Sequence, residues 1–327
     1  MPQLVGQEVG PLGYGLMGLT WRYNPCPQEQ AFEAMRTALK QGMNFWNGGQ
    51  FYGPEERNSL VLLEQYFEKY PEDANKIVLS IKGGVDLKTL KADGTPEGTR
   101  RSMDACLAQL KGRKKLDIFE FARRDQDVDM KITFDTLQKE YIDTGKLGGI
   151  SLSEVRVETI HEAVKHAKIV ACEVELSLFS TDVLENGIAA ACAQYNIPIV
   201  AYSPIGRGML SGNIKTLDDI PKELKHFPRF SPENFDANLK LVHQVEELAK
   251  QKGCTPAQLA IGWVLAVQKR PGMPTIIPIP GATTKARVEE NSKAVDLTDD
   301  EMAQIDATLA KFTTAGARYD AHTATNT

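Results

Sequence analysis

The chain has 327 residues, 42% hydrophobic and 25% charged, with a formal net charge of -5. That mildly acidic balance excludes nucleic acid as the expected partner, and no window nears the ~18 apolar residues of a membrane span. The five cysteines (Cys26, Cys106, Cys172, Cys192, Cys254) are odd in number and never spaced C-x-x-C. Reduced thiols in a cytoplasmic protein are therefore expected, with no zinc or other metal. Met1 to Gly10 has no basic segment followed by an apolar run, so no signal peptide is expected.

In chain order, short apolar runs alternate with longer segments of helical period. The predicted strands are Gly10 to Leu16, Met43 to Gly49, Lys76 to Gly84, Leu116 to Ala122, Gly148 to Leu152, Ile169 to Leu176, Ile197 to Tyr202 and Thr275 to Ile279. The first six helices are predicted at Gln28 to Gln41, Asn58 to Phe67, Pro96 to Leu110, Ile132 to Asp143, Val157 to Lys165 and Asn186 to Gln194. Four more follow at Asn238 to Gln251, Pro256 to Val267, Lys285 to Lys293 and Asp299 to Lys311.

Eight strands, each followed by helix, predict parallel pairing with right-handed crossovers. The fold expected is an α/β (β/α)8 TIM barrel, one domain over residues 1–327. A doubly wound sheet would need a helix straight after a glycine-rich turn. Gly13, Gly15 and Gly18 fit G-x-G-x-x-G, but Thr20 to Pro27 is irregular, so that architecture is set aside. The stretch 206–238 has no clear element and is expected to lie over the active face.

In such a barrel, functional groups stand where strands end. Tyr52 follows the second strand and Lys82 sits in the third, in "VLSIKGG". Alternation puts Ser80 and Lys82 on one side, and Leu79, Ile81 and Gly83 on the other. Taken singly, Tyr52 reads first as rim packing, and Lys82 reads equally as a solvent-reaching cation. Together they form a proton-donor pair, the ammonium lowering the phenol's pKa. Gly206, Gly208 and Gly212 with Arg207 suit a diphosphate, and Tyr202 can stack on a planar ligand. Thr283 and Thr284 can cap a helix carrying Lys285 and Arg287, which suits a 2′-phosphate.

The segments "NFWNGGQFYG", "SIKGG", "AYSPIGRG" and "IPIPGATTKARVEEN" resemble the aldo-keto reductase family over nearly the whole chain, nearest its fungal pyridoxal reductase branch. "GLMGLTWR" and "FSPENF" point the same way. The resemblance implies NADPH-dependent reduction of an aldehyde or ketone, with pyridoxal reduced to pyridoxine. It implies an Asp-Tyr-Lys-His tetrad, whose Tyr and Lys fall on Tyr52 and Lys82. The Asp position holds Asn47 and the His position holds Ala122. Asn47 is expected to accept a hydrogen bond from Lys82 without supplying charge. Arg123, Arg124 or polar groups on the substrate ring are expected to stand in for the histidine.

The family's carboxamide-holding residues match Ser153, Glu154 and Glu173, and its nicotinamide-stacking ring matches Tyr202. Its diphosphate loop matches Ser203, Pro204, Ile205, Gly206 and Arg207. The 2′-phosphate side matches Thr283 and Arg287, with Glu290 and Asn291 by the adenine. Substrate contacts are expected from Trp21 and Arg123, and the resemblance implies that the tail 312–327 shapes substrate choice through Arg318 and Tyr319. Trp46 reads either as pocket wall or as packing. Two other functions fit the incomplete tetrad: a cofactor-binding redox-sensing subunit and a broad aldehyde reductase.

Overall fold

In the computed structural model, which describes residues 1–320 and Thr325, ten strands appear. An antiparallel hairpin, β1 (Gln3–Leu4) and β2 (Gln7–Glu8), precedes the sheet. The sheet comprises β3 (Tyr14–Gly15), β4 (Phe45–Gly49), β5 (Val78–Gly83), β6 (Leu116–Phe121), β7 (Leu147–Ser153), β8 (Ile169–Glu175), β9 (Ile199–Tyr202) and β10 (Ile276–Pro278). They pair in sequence order, all parallel. Gly13 N donates to Pro278 O at 2.9 Å, and Gly15 bridges Gly281 in parallel, so the two edge strands meet. That seam needs glycine. A Cβ on Gly13 would lie 2.7 Å from the Phe45 ring and 2.9 Å from the Ile279 side chain.

The helices are α1 (Met17–Thr20), α2 (Gln28–Lys40), α3 (Ser59–Lys69), α4 (Pro96–Leu110), α5 (Met130–Leu137), α6 (Val157–His166), α7 (Ile188–Gln194), α8 (Pro232–Lys252), α9 (Pro256–Val267), α10 (Lys285–Asn291) and α11 (Asp299–Leu309). Their starts follow local chemistry. The Asn58 side chain accepts from Leu60 N and Val61 N to begin α3, and Thr95 caps α4 ahead of Pro96.

Three expectations need correction. The first barrel strand is only Tyr14–Gly15, because Leu16 already turns into α1. The hairpin is new. Helix α8 begins at Pro232, six residues before Asn238, since Pro232 is well placed in a first turn. The region 206–238 is thus not one open loop. It holds four 3-10 turns, at Gly206–Ser211, Leu217–Asp219, Lys222–Leu224 and Pro228–Phe230, and then the start of α8.

Side-chain alternation sorts the strands into an outer and an inner face. Leu79, Ile81, Phe119, Ile150, Cys172 and Ile199 belong to the core shared with the helices. Phe45, Val78, Ile118, Ala171, Val200 and Ile277 form a separate apolar cluster inside the ring, covered below by Leu4 and Val9 around the hairpin. Further along the same inward positions the chemistry becomes polar: Asn47, Lys82, Glu120, Ser151, Ser153, Glu173 and Glu175 are all buried. The barrel therefore has a dry floor and a charged mouth at the strands' C-terminal ends.

Candidate active site

Tyr52 reaches the mouth through a tight turn after β4. Gly49 pairs with Lys82 in the β4–β5 register, and Gln50 N donates to Lys82 O at 2.8 Å. The chain then reverses at Gly53, whose φ is +108°. The Tyr52 ring folds back over Gly49, where a Cβ would stand 2.8 Å from the ring. No larger residue fits there without displacing the phenol. Thr20 Oγ1 donates to Tyr52 O at 2.7 Å, and the Trp21 ring stacks on the Tyr52 ring at 5.4 Å and 28°. Trp21 is 43% exposed, so it walls the phenol on the solvent side. Trp46 instead is fully buried among Tyr14, Tyr66 and Phe67 and donates to Met43 O, so it is packing.

Lys82 lies between two carboxylates, Glu120 Oε1 at 2.8 Å and Glu173 Oε1 in closer contact. Burial opposes its charge, and Glu120 and Glu173 outweigh that, holding the ammonium well above its usual pKa. Asn47 does not accept from Lys82 as expected. Its Nδ2 donates to Glu173 Oε2 at 2.6 Å. Both oxygens of Glu173 thus serve Lys82 and Asn47. Burial and the nearby Glu120 raise the Glu173 carboxyl to about 8, against the pull of Lys82. Burial also raises the Tyr52 phenol, with Lys82 pulling it down and Glu173, Glu120 and Tyr319 pushing it up.

Glu120 escaped the sequence reading. The same signal that marked Lys82 was available for it: a charge at an inward position of "LDIFEF", in register with Lys82. Ser151 Oγ holds its other oxygen at 3.0 Å.

The second charge cluster joins the barrel to the tail. Glu154, at φ +52°, accepts both guanidinium nitrogens of Arg318 at 3.0 Å and the Tyr202 hydroxyl at 2.9 Å. The Tyr202 and Tyr319 hydroxyls share a 2.8 Å hydrogen bond. Arg207 stacks over Phe227 at 4.0 Å and Tyr319 at 4.6 Å, and lies 3.5 Å from Glu175, which also pairs with Arg229 at 3.1 Å. The tail as far as Asp320 therefore lies over the mouth. Residues 321–324, 326 and 327 of the expected tail fall outside the described residues.

Residues 11–310 match the model of the aldo/keto reductase family. The chain belongs to that family. It is 43% identical to a Schizosaccharomyces pombe protein named "Probable pyridoxal reductase 2", over 98% of this chain and 97% of that one. It is 41% identical to a Saccharomyces cerevisiae protein also named as a pyridoxal reductase, over 94% and 95%. Among solved structures, a glycerol dehydrogenase from Gluconobacter oxydans superposes with a TM-score of 0.82 at 21% identity, covering 98% of both chains. At that identity the likeness concerns the fold.

For an aldo/keto reductase, this mouth has an altered set of polar groups. Ala122 is buried just past β6, and its methyl side chain offers no hydrogen-bond donor. Arg124 is turned toward α6, pairing with Glu162 at 3.0 Å. Arg123 contacts the Ala122 carbonyl and lies 5.7 Å from the Tyr319 ring, which keeps its charge at the mouth. Arg287 is 39% exposed at its side chain and pairs with Glu290 at 2.6 Å on α10. Thr284, not Thr283, caps that helix by accepting from Arg287 N. The Thr283 carbonyl accepts from Gln30, and Asn291 is buried. No helix among the described residues is long and apolar enough to cross a membrane.

Proposed function

We propose that this enzyme reduces an aldehyde to an alcohol with NADPH, and that pyridoxal is its substrate. The observation that carries the reading is a phenol pinned over Gly49 beside a buried, doubly paired ammonium. The names of the two fungal relatives support the substrate. The exposed ring of Trp21, stacked on Tyr52, offers an aromatic aldehyde a surface next to the proton donor.

The mouth suits a nicotinamide dinucleotide. Ser153 Oγ is buried without a hydrogen-bond partner, at the position that matches the family's carboxamide holder. Ser203, Gly206, Arg207 and Gly208 all have positive φ, a backbone form that can gather N–H groups around an anion. On α10, Arg287 and Lys285 bring positive charge beside a capped N-terminus, which favours a 2′-phosphate. When bound, the cofactor supplies the hydride to the carbonyl carbon. Tyr52 donates its hydroxyl proton to the carbonyl oxygen, and Lys82 stabilises the phenolate left behind. Arg123 adds positive charge on the side where Ala122 leaves no donor.

Tyr52→Phe tests this reading. Pyridoxal-dependent NADPH consumption should fall about 10²- to 10⁴-fold, the usual weight of a general acid, while NADPH binding measured by fluorescence titration persists. Undiminished turnover would remove Tyr52 from the chemistry. A wild-type protein that binds NADPH yet consumes none with any aldehyde would instead be a redox-sensing subunit. Equal turnover of unrelated aldehydes would make it a broad reductase.

A further inference from the structure

We propose that Glu173, oriented by Asn47, is the positioning residue whose charge sets how strongly Lys82 assists Tyr52. The inference rests on the reading of Tyr52 as proton donor. It reassigns Glu173 from holding the cofactor's carboxamide to serving the catalytic lysine.

The counter-charge expected on β4 is absent, because Asn47 is an amide. Glu173 supplies it from β8, on the far side of β5 to β7. The Asn47 amide donates to Glu173 Oε2, which leaves Oε1 turned toward Lys82 Nζ. The exchange of Asp for Asn thus reverses the direction of help. The β4 residue now orients the carboxylate instead of being it.

Glu120 makes the arrangement titratable. Two buried carboxylates face one ammonium, giving a net charge of about -1 when both are ionised, a costly state in a medium of low dielectric. A single proton on Glu173 leaves Lys82 and Glu120 as a neutral pair. The groups around Glu173 are Lys82 on β5, Glu120 on β6, Asn47 on β4 and Tyr52 after it. Glu154, at the end of β7, donates its backbone N–H to Glu173 O, but its carboxylate is committed to Arg318; Tyr319 comes from the tail. Burial and Glu120 hold the Glu173 carboxyl up to about 8. Below that pH, Lys82 acts on the phenol against one carboxylate. Above it, two carboxylates cancel its field, Tyr52 becomes a weaker acid, and reduction slows.

The sign for stability follows from linkage. A carboxyl raised above its ordinary value of 4.5 binds its proton more tightly when folded. Stability from this group is therefore lost as pH rises from that value toward about 8.

Two substitutions fix the two charge states. Glu173→Gln mimics the protonated form, and Asn47→Asp adds one further carboxyl to the Glu120–Glu173 pair around Lys82, so that two carboxylates are ionised there at a lower pH. The first measurement uses cofactor-free protein: melting temperature against pH for wild type, E173Q and N47D. E173Q should lack the decline toward pH 8, and N47D should carry its decline to higher pH. The second uses the NADPH-loaded enzyme with pyridoxal. Wild-type kcat should fall through a single step centred near pH 8 and level off at a lower value. E173Q should lack that fall, and N47D at pH 7 should show the lowered kcat of wild type at pH 9, with KM for NADPH changed less than threefold.

Melting and kcat profiles of E173Q that match wild type, with NADPH affinity weakened tenfold or more, would overturn the proposal and return Glu173 to the carboxamide. If E173Q fails to fold, an unshifted N47D profile does the same. The melting profiles need no turnover, so they judge Glu173 even if wild type reduces no aldehyde.

Discussion

The floor and the mouth of the barrel are built on the same strands, one or two inward positions apart, yet they obey opposite rules. On β5, Val78 lies in the apolar floor, and Lys82, four residues on, lies between two carboxylates. On β6 the step is from Ile118 to Glu120, and on β8 from Ala171 to Glu173. The floor gains stability by excluding water from hydrocarbon. The mouth buries charges that cost stability unless each is matched, and so holds groups whose ionisation can be tuned. The polar groups of the mouth thus continue the inward alternation of the apolar floor.

That division can be broken by substituting each region in turn. Phe45→Ala in the floor should cost about 3–5 kcal/mol of unfolding free energy, measured by denaturant titration. Turnover per folded molecule should remain as in wild type, and a matching loss of kcat would show that the two regions are coupled. On α10, the proposed 2′-phosphate role predicts that Arg287→Gln weakens NADPH about 10- to 100-fold, the weight of a charged hydrogen bond, and NADH much less. Equal weakening of both would take Arg287 away from the 2′-phosphate. The smallest effect belongs to the tail. Tyr319→Phe removes the hydroxyl bonded to Tyr202, worth about 0.5–1.5 kcal/mol. It should change KM for pyridoxal by no more than about tenfold, with the melting temperature nearly constant.

The same contrast explains what was legible in the sequence. Alternation in "VLSIKGG" set Lys82 on the face of Ser80, opposite Leu79 and Ile81, and the eight strand-helix units pointed to the barrel, because both signals are local. The partnership of Lys82 with Glu173 spans 91 residues and depends on ring closure, which no local pattern encodes. It became visible only when β5 and β8 faced each other across the mouth. Likewise the pairing of Glu154 with Arg318 spans 164 residues, and neither local segment encodes it. The hairpin was missed for a different reason: two-residue strands have too few positions to show a period. The early start of α8, by contrast, was written in Ser231-Pro232 and passed over.

The N-terminal hairpin has a practical consequence. It closes the end of the ring opposite Tyr52, with Leu4 and Val9 packed against the first inward residues of the strands. Among the described residues, the base of the ring is therefore covered, and the polar mouth lies at its other end. A surface tether or fusion partner joined ahead of Met1 would hang from that base and leave the mouth free. Trimming the first nine residues would instead uncover Phe45, Val78 and Ile118 to solvent from beneath, and a shortened protein would be prone to clump through its base.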